Sequence, residues 1–304
     1  MRHHRINGLV AAVHTPFKPD GRLNLSAVER QAEHLRSNEI AAVFIAGSTG
    51  EGHSLTVEER RRLAERWMEV SAGNGLPVIV HVGANCLRDA RTLAAHSERI
   101  GAFAISALAP SYFKPSTVEE LIECCAEVAA GAPELPFYFY DIPSLTGVNL
   151  SMPEFLTRGK ERIPNLLGIK WTNTDLSGFQ LCRHMPGNYE LFWGNDDFLL
   201  AGLALGATAA VGSSYSYAAP IYHRMIRAFL TGDLETARKE QLYAVQLLRV
   251  LSGYGYLGAA KAVMALLGVD VGPARTPNTN LAAAQVASLE KDLEQLAFFD
   301  RIRS

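Results

Sequence analysis

The chain has 304 residues, of which 48% are hydrophobic and 20% are charged, and its formal net charge is −2. This balance is typical of a globular protein with a large core, and the lack of a basic tract excludes nucleic acid and anionic membrane surfaces as expected partners. Because the four cysteines form no CxxC pair, the first residues lack a signal-like apolar core and no apolar run reaches the ~20 residues that span a bilayer, we expect a cytoplasmic protein.

Apolar runs of strand length alternate with amphipathic, helix-like segments along the chain. Strands are predicted at about 9–17, 41–46, 77–82, 102–108, 137–142, 166–172, 190–193 and 208–211. Helices are predicted at about 25–36, 56–70, 87–99, 116–130 and 152–158. A further helix begins near residue 175, and another, after the seventh strand, ends at about residue 205. Thr56 followed by Glu59 forms a capping-box pattern at the start of the second helix.

Eight strand–helix units with nearly continuous apolar strands predict a (β/α)₈ TIM barrel over residues 1–232. The alternative is a doubly wound open sheet, which usually has a glycine-rich turn after its first strand, whereas this chain has TPF at 15–17. The remaining residues, 233–304, predict helices only, at about 233–251, 257–267 and 281–296. We expect them to form a C-terminal helical extension packed on the barrel.

Lys170 lies in the middle of the sixth predicted strand, in the run LLGIKWT at 166–172. A buried ammonium is costly, so a lysine there is either paired or uncharged, and an uncharged amine is a nucleophile toward carbonyls. We expect burial and the absence of a nearby carboxylate to lower the Lys170 pKa. The alternative is a lysine at a strand end whose amine reaches water.

Other polar groups follow the predicted strands, at the barrel end where active sites are found. The turn GSTGE at 47–51 presents the hydroxyls of Ser48 and Thr49 and exposed backbone N–H groups, which suit a carboxylate or phosphate. Its alternative is an ordinary glycine turn before a helix. No GxxxxGK[ST] pattern is present, and we find no convergence of carboxylates and histidines typical of a metal site.

Strand alternation places Tyr140 on one face of the fifth strand and places Lys170 and Thr172 on one face of the sixth. If Tyr140 faces the barrel interior, its hydroxyl is an acid–base candidate beside the amine; otherwise it is a core tyrosine. Asp196 and Asp197 follow the seventh strand and could bind the hydroxyls of a polyol, or could simply begin a helix.

Four motifs resemble those of the pyruvate-dependent class I aldolase family of N-acetylneuraminate lyase and dihydrodipicolinate synthase, and the resemblance covers nearly the whole chain. The turn at 47–51 is similar to the family's GxTGE turn, and GIK at 168–170 to its Schiff-base strand. The run YDIPSLTGV at 140–148 is similar to its tyrosine segment, and VGS at 211–213 to the end of its eighth strand.

The resemblance implies catalytic roles for Lys170, Tyr140, Ser48 and Tyr112, and a substrate-binding role for Thr49. Lys170 matches the imine-forming lysine and Tyr140 the proton-shuttling tyrosine, while Ser48 and Thr49 match residues that hold the substrate carboxylate. Ser48 also belongs to a proton relay with Tyr112, a position that the neighbouring subunit contributes, so the resemblance implies a homotetramer. No metal or organic cofactor is implied, because the iminium itself accepts the electron pair.

Within the family, the substrate is indicated by several positions. Leu145 stands where the synthases carry an arginine for a second carboxylate, and KWTNTDL at 170–176 is more similar to the lyases. The resemblance therefore implies cleavage of N-acetylneuraminate to pyruvate and N-acetylmannosamine. The substrate's polyol chain would be bound by Thr172, Gly194, Asp196, Asp197 and Ser213. Alternatives are another 2-keto-3-deoxy sugar-acid aldolase, a dihydrodipicolinate synthase-like enzyme, or a non-catalytic barrel that binds pyruvate or a sugar acid.

Overall fold

A computed structural model describes residues 5–303 and shows a closed barrel of eight parallel strands paired in chain order, which confirms the predicted TIM barrel. Each strand pairs with the next one along the chain, and the eighth pairs with the first. The strands are β1 Gly8–Ala12, β2 Ala42–Ile45, β3 Val78–His81, β4 Ala104–Leu108, β5 Phe137–Asp141, β6 Leu166–Trp171, β7 Glu190–Trp193 and β8 Ala209–Gly212.

Helices connect the strands and continue beyond β8. They are α1 Ala27–Ser37, α2 Val57–Asn74, α3 Leu87–Arg99, α4 Val118–Ala129, α5 Pro143–Thr146, α6 Met152–Arg162, α7 Leu176–Arg183, α8 Leu199–Ala204, α9 Tyr215–Leu230, α10 Leu234–Gly253, α11 Tyr256–Leu266, α12 Ala283–Gln295 and α13 Phe298–Arg301. Short 3₁₀ turns cover Gly52–Ser54 and Asp196–Phe198.

The predicted strands and helices are present, with differences at their ends. The first strand ends at Ala12, short of the prediction, because the chain turns away before Pro16. Three helices, α5, α9 and α13, have no counterpart in the prediction. The first is a single turn that begins at Pro143, and the second contains a kink at Ala218 with Pro220 inside it, which obscures the helical pattern.

Helix starts follow the capping signals of the sequence. Thr56 accepts a hydrogen bond from the backbone of Glu59, whose side chain accepts one from the backbone of Thr56, so the predicted capping box is confirmed. Thr117 and Glu120 form a second capping box at α4. Such caps each contribute about 1 kcal/mol to stability.

The strands separate two cores. Inward-facing side chains, including Tyr138 and Tyr140, fill the barrel, while Phe139 and Trp171 face the helices, as strand alternation predicts. In β6, Gly168 is required because a side chain there would place its Cβ 1.7 Å from the Glu190 carbonyl oxygen of β7. The close approach of β6 to β7 sets the position of the strand that carries Lys170.

The last part of the chain packs against the barrel. Helix α10 lies along α9, and the segment 272–280 returns to the end of the barrel where the strands terminate. There the backbone of Gly272 contacts Phe17, and Arg275 donates to the carbonyl oxygens of Gly21 and Ser54. The division of the chain at 232/233 stays a prediction. Within residues 5–303, no helix is both long enough and apolar enough to cross a bilayer.

Candidate active site

A cavity of ≈ 140 Å³ opens at the end of the barrel where the strands terminate. It brings together residues from the ends of β2, β5, β6, β7 and β8, the arrangement that TIM-barrel enzymes use for their active sites. Eight of the ten site residues predicted from the sequence line it: Ser48, Thr49, Tyr140, Lys170, Thr172, Gly194, Asp196 and Ser213.

Lys170 lies at the base of this cavity with its side chain almost fully buried, at 4% exposure. Its Nζ donates to Thr172 Oγ1 at 3.1 Å, and Thr172 Oγ1 in turn lies 3.4 Å from the Gly194 carbonyl oxygen. The same Nζ lies 3.4 Å from the centroid of the Tyr140 ring and 5.3 Å from that of Phe44. The amine is therefore enclosed by aromatic faces and directed toward the cavity.

The environment of Lys170 favours the uncharged amine. Burial lowers its pKa below the usual range, and this outweighs the opposing effects of Tyr140 and Asp196, which raise the pKa. The predicted direction of the shift is confirmed. The expectation that no carboxylate lies nearby is wrong, because Asp196 is close enough to raise the Lys170 pKa. Asp196 follows β7, so the local sequence of β6 gives no sign of it.

Tyr140 presents its hydroxyl to the turn that follows β2. Its oxygen lies 3.5 Å from Ser48 Oγ, a long contact for two hydroxyls. The ring is held edge-on by Phe44 and by His81, each with ring centroids 5.8 Å away. His81 also contacts the Ala46 carbonyl oxygen through Nδ1 at 3.1 Å, so it joins the tyrosine ring to the start of the Ser48 turn.

The turn 47–51 holds Ser48 and Thr49 against the cavity. Its backbone closes through a hydrogen bond from the Glu51 N–H to the Ser48 carbonyl oxygen at 3.1 Å, with Glu51 in the left-handed region at φ 52°. Thr15, from the loop after β1, donates its hydroxyl to the Gly50 carbonyl oxygen at 2.5 Å. Both hydroxyls of the turn are thus presented by a backbone that the neighbouring loop restrains.

A buried ion pair, which the sequence did not predict, supports this turn from below. Lys261 Nζ lies 2.8 Å from Glu51 Oε1, and the two side chains are 2% and 0% exposed. Lys261 also donates to the carbonyl oxygens of Thr15 and Pro273 at 2.9 and 2.8 Å, and the Arg275 N–H donates to Glu51 Oε2 at 2.7 Å. The C-terminal segment is therefore fastened to the loop that carries Ser48.

Asp196 lies on the opposite side of the cavity, in the 3₁₀ turn after β7. Its Oδ2 accepts hydrogen bonds from the N–H of Ser214 at 2.9 Å, from the hydroxyl of Ser214 at 2.6 Å and from Ser213 Oγ at 3.4 Å. Ser213 Oγ also lies 2.6 Å from the hydroxyl of Tyr256, which is 3.0 Å from that of Tyr217. This wall of the cavity consists of hydroxyls and one carboxylate.

Two predicted residues lie outside the cavity. The side chain of Asp197 is exposed, and its backbone carbonyl oxygen accepts a hydrogen bond from Gln241 at 2.7 Å. Tyr112 is 77% exposed and packs edge-on against Phe113, which is 86% exposed. Within a single chain, neither side chain contributes to the lining of the cavity.

Four polar residues near the cavity were missed by the sequence reasoning: Ser214, Tyr222, Tyr256 and Lys261. The hydroxyl-rich run SSYSY at 213–217, directly after β8, was the one local signal for this wall. Tyr256 and Lys261 lie on α11, beyond the barrel strands, where nothing in the local pattern indicates contact with the site. Among residues 5–303, no group of three or more histidine, cysteine, aspartate or glutamate side chains could hold a metal ion.

Comparison with known proteins places this geometry in a family. The model of the dihydrodipicolinate synthetase family matches residues 5–296. The N-acetylneuraminate lyase of Gallus gallus is 38% identical over 301 residues, which cover 97% of this chain and 98% of the relative.

Solved structures agree with these sequence relatives. The Proteus mirabilis N-acetylneuraminate lyase has a TM-score of 0.93 at 39% identity, covering 96% of this chain and 99% of that one. The sialic acid aldolase of Aliivibrio salmonicida has a TM-score of 0.93 at 38% identity, covering 96% and 97%. Because both the family model and these relatives extend over nearly the whole sequence, the chain belongs to the dihydrodipicolinate synthetase family.

Proposed function

We propose that this protein is a Schiff-base aldolase that cleaves N-acetylneuraminate to pyruvate and N-acetylmannosamine. The observation that carries the proposal is the buried amine of Lys170, enclosed beside the Tyr140 ring in a cavity that Asp196 also lines. The names of the most similar relatives support the same activity.

Lys170 begins the reaction as a nucleophile. Its neutral Nζ forms a bond to the C2 carbonyl carbon of the keto acid, and loss of the carbonyl oxygen as water, with uptake of one proton from solvent, gives a protonated imine. Burial lowers the Lys170 pKa, which increases the fraction of amine that carries a free electron pair near neutral pH. Ser48 and Thr49 hold the substrate carboxylate beside it.

Tyr140 serves the cleavage step as the acid–base group. It takes up the proton of the C4 hydroxyl through the bound carboxylate, with a relay through Ser48, whose Oγ lies 3.5 Å from the tyrosine hydroxyl. The C3–C4 bond breaks, its electron pair moves into the enamine, and the new aldehyde leaves as N-acetylmannosamine. Protonation at C3 and attack of water on the imine then release pyruvate and restore the free amine.

The polyol end of the substrate is bound at the opposite wall. We assign this role to Thr172, Gly194, Asp196 and Ser213, which line the cavity, and to Asp197 at its edge. Carboxylate and hydroxyl groups in this arrangement suit a chain of hydroxyls, because they offer several acceptors within a small space.

The assembly follows from the position of Tyr112. Its exposed side chain and that of Phe113 form an aromatic patch that would be costly to leave in water, and we propose that a second copy of the chain covers it. In that arrangement, the Tyr112 of the neighbouring subunit completes the relay with Ser48. We propose a homotetramer located in the cytoplasm.

Reduction with borohydride in the presence of pyruvate tests the proposal, because it converts the imine to a stable amine. Peptide mass mapping should find the adduct on Lys170. Lys261 is the matched control within the same chain, since it is equally buried but its Nζ is paired with Glu51. Absence of an adduct on the Lys170 peptide would contradict the proposed aldolase activity. It would favour a non-catalytic protein that binds pyruvate or a sugar acid.

Turnover assays identify the substrate. We expect cleavage of N-acetylneuraminate to exceed cleavage of 2-keto-3-deoxygluconate. The reverse order, with the adduct still formed on Lys170, would indicate a different 2-keto-3-deoxy sugar-acid aldolase. Synthase activity is disfavoured because Leu145, a 63% exposed apolar side chain, offers no charge for a second carboxylate.

A further inference from the structure

The two oxygens of the Asp196 carboxylate have different surroundings. Oδ2 accepts hydrogen bonds from the backbone and side chain of Ser214 and lies 3.4 Å from Ser213 Oγ. Among residues 5–303, no protein group donates to Oδ1, and the residue lines the cavity. The protein therefore occupies one oxygen of the carboxylate and leaves the other for a ligand.

The hydroxyl of Ser214 lies between two partners, the Asp196 carboxylate and the Tyr222 hydroxyl. Ser214 Oγ lies 2.6 Å from Asp196 Oδ2 and 2.7 Å from the hydroxyl oxygen of Tyr222. A carboxylate only accepts, so the single proton of Ser214 is directed at Asp196. The Tyr222 hydroxyl oxygen contacts the same Ser214 Oγ from the side away from the cavity lining, so Ser214 links Tyr222 to the Asp196 carboxylate.

The side chains of Ser214 and Tyr222 are both rigidly held. Ser214 and Tyr222 are each 0% exposed, and the ring of Tyr222 packs edge-on against Tyr215 with centroids 4.7 Å apart. Gly212 leaves room for the carboxylate, since a Cβ at that position would lie 2.8 Å from Asp196 Cβ and from its Oδ2. Asp196 can therefore rotate only by breaking the hydrogen bonds to Oδ2.

We propose that Ser214 and Tyr222 are positioning residues, which hold the Asp196 carboxylate so that Oδ1 faces the cavity and accepts hydrogen bonds from hydroxyls at the polyol end of the substrate. As regards the substrate, this inference rests on the proposed function. Neither residue lines the cavity, so both act through Asp196. The imine-forming half of the site, around Lys170, does not depend on them.

The test compares N-acetylneuraminate, whose polyol chain extends to C9, with 2-keto-3-deoxygluconate, whose shorter chain ends at C6. In Ser214→Ala, kcat/KM for N-acetylneuraminate should fall about 10- to 100-fold, mainly through KM, because a hydrogen bond to a charged group is lost. In the same variant, kcat/KM for 2-keto-3-deoxygluconate and the rate of borohydride trapping with pyruvate should stay within about twofold. Tyr222→Phe should change the same quantities in the same direction by about threefold, since Ser214 keeps its own proton.

Tyr243→Phe is the matched control, because Tyr243 is also a buried tyrosine and its hydroxyl has no hydrogen-bond partner among residues 5–303. The inference is overturned if Ser214→Ala lowers activity on both substrates equally, or if Tyr222→Phe behaves like the control. A crystal structure of Ser214→Ala decides independently of substrate. Rotation of the Asp196 carboxylate supports the inference, and an unchanged carboxylate refutes it even if the wild-type protein does not cleave N-acetylneuraminate.

Discussion

Replacement of Lys261 by methionine should strongly destabilise the protein, because it leaves the carboxylate of Glu51 buried without its counter-charge. The two side chains are 2% and 0% exposed and their charged atoms are 2.8 Å apart. Loss of one partner of such a pair typically costs about 3–5 kcal/mol in the free energy of unfolding. The hydrogen bond from the Arg275 N–H to Glu51 Oε2 remains, so we expect a loss toward the lower end of that range, about 3 kcal/mol.

The double variant Glu51→Gln, Lys261→Met should be more stable than Lys261→Met alone. It removes both charges, while the amide oxygen of glutamine can still accept the Arg275 N–H. Replacement of a whole buried ion pair by uncharged groups is often neutral or better, so we expect the double variant to recover most of the loss. A positive coupling of about 2 kcal/mol or more between the two substitutions follows from this.

Urea unfolding monitored by tryptophan fluorescence measures these differences, because Trp67, Trp171 and Trp193 are fully buried in the native barrel. Lys239→Met is the matched control, since Lys239 forms a solvent-exposed pair with Glu235 at 2.6 Å and its loss should change the stability little. Equal losses in Lys261→Met and Lys239→Met, or a double variant no more stable than Lys261→Met, would refute the reasoning.

Asp196→Asn removes a charge that raises the pKa of Lys170, so this pKa should fall further and the acidic limb of the pH profile for borohydride trapping with pyruvate should move to lower pH; a shift to higher pH would contradict the assignment. The Arg275 guanidinium lowers the pKa of Glu59 from 4.5 to about 2, so stability from this carboxylate is complete above pH 4.5 and lost as the pH falls toward 2. Urea midpoints of Glu59→Gln should accordingly depend less on pH across that window, and an unchanged pH dependence would exclude a role for the pair. Tyr140→Phe should lower kcat for cleavage by about 10²- to 10⁴-fold while the adduct on Lys170 still forms, and full cleavage activity would remove Tyr140 from the mechanism.

The barrel and the centre of the site could be predicted because both depend on short-range pattern. Strand alternation correctly placed Tyr140 and Lys170 inside the barrel and Trp171 outside. Asp141 follows Tyr140 directly in β5, so its side chain points to the other face of the strand, where Asn173 donates to its Oδ2 at 2.9 Å. These features follow from the alternation of side chains along a strand, which can be counted from the sequence of that strand alone.

Contacts between distant segments could not be predicted in this way. Glu51 is part of a recognisable turn, but nothing near it indicates that its partner is Lys261 on α11. Similarly, Tyr256 reaches Ser213 from α11, and Asp196 after β7 accepts hydrogen bonds from Ser214 after β8. Such pairings are set by the packing of whole elements, so a single sequence does not display them.

The fastening of the C-terminal segment to the turn at 47–51 has a consequence for how the protein is made. A ribosome releases the first strands and their loops long before α11, and at ordinary elongation speeds the interval between Glu51 and Lys261 is about 10–40 s. During that time, the nascent chain contains the Glu51 carboxylate but not yet its counter-charge on Lys261. The segment 272–280, which contacts Phe17 through Gly272, is also not yet synthesised. Residues up to about 280 must therefore be synthesised before the turn at 47–51 acquires its full set of contacts, and a chain that ends before Lys261 would leave Glu51 without its counter-charge.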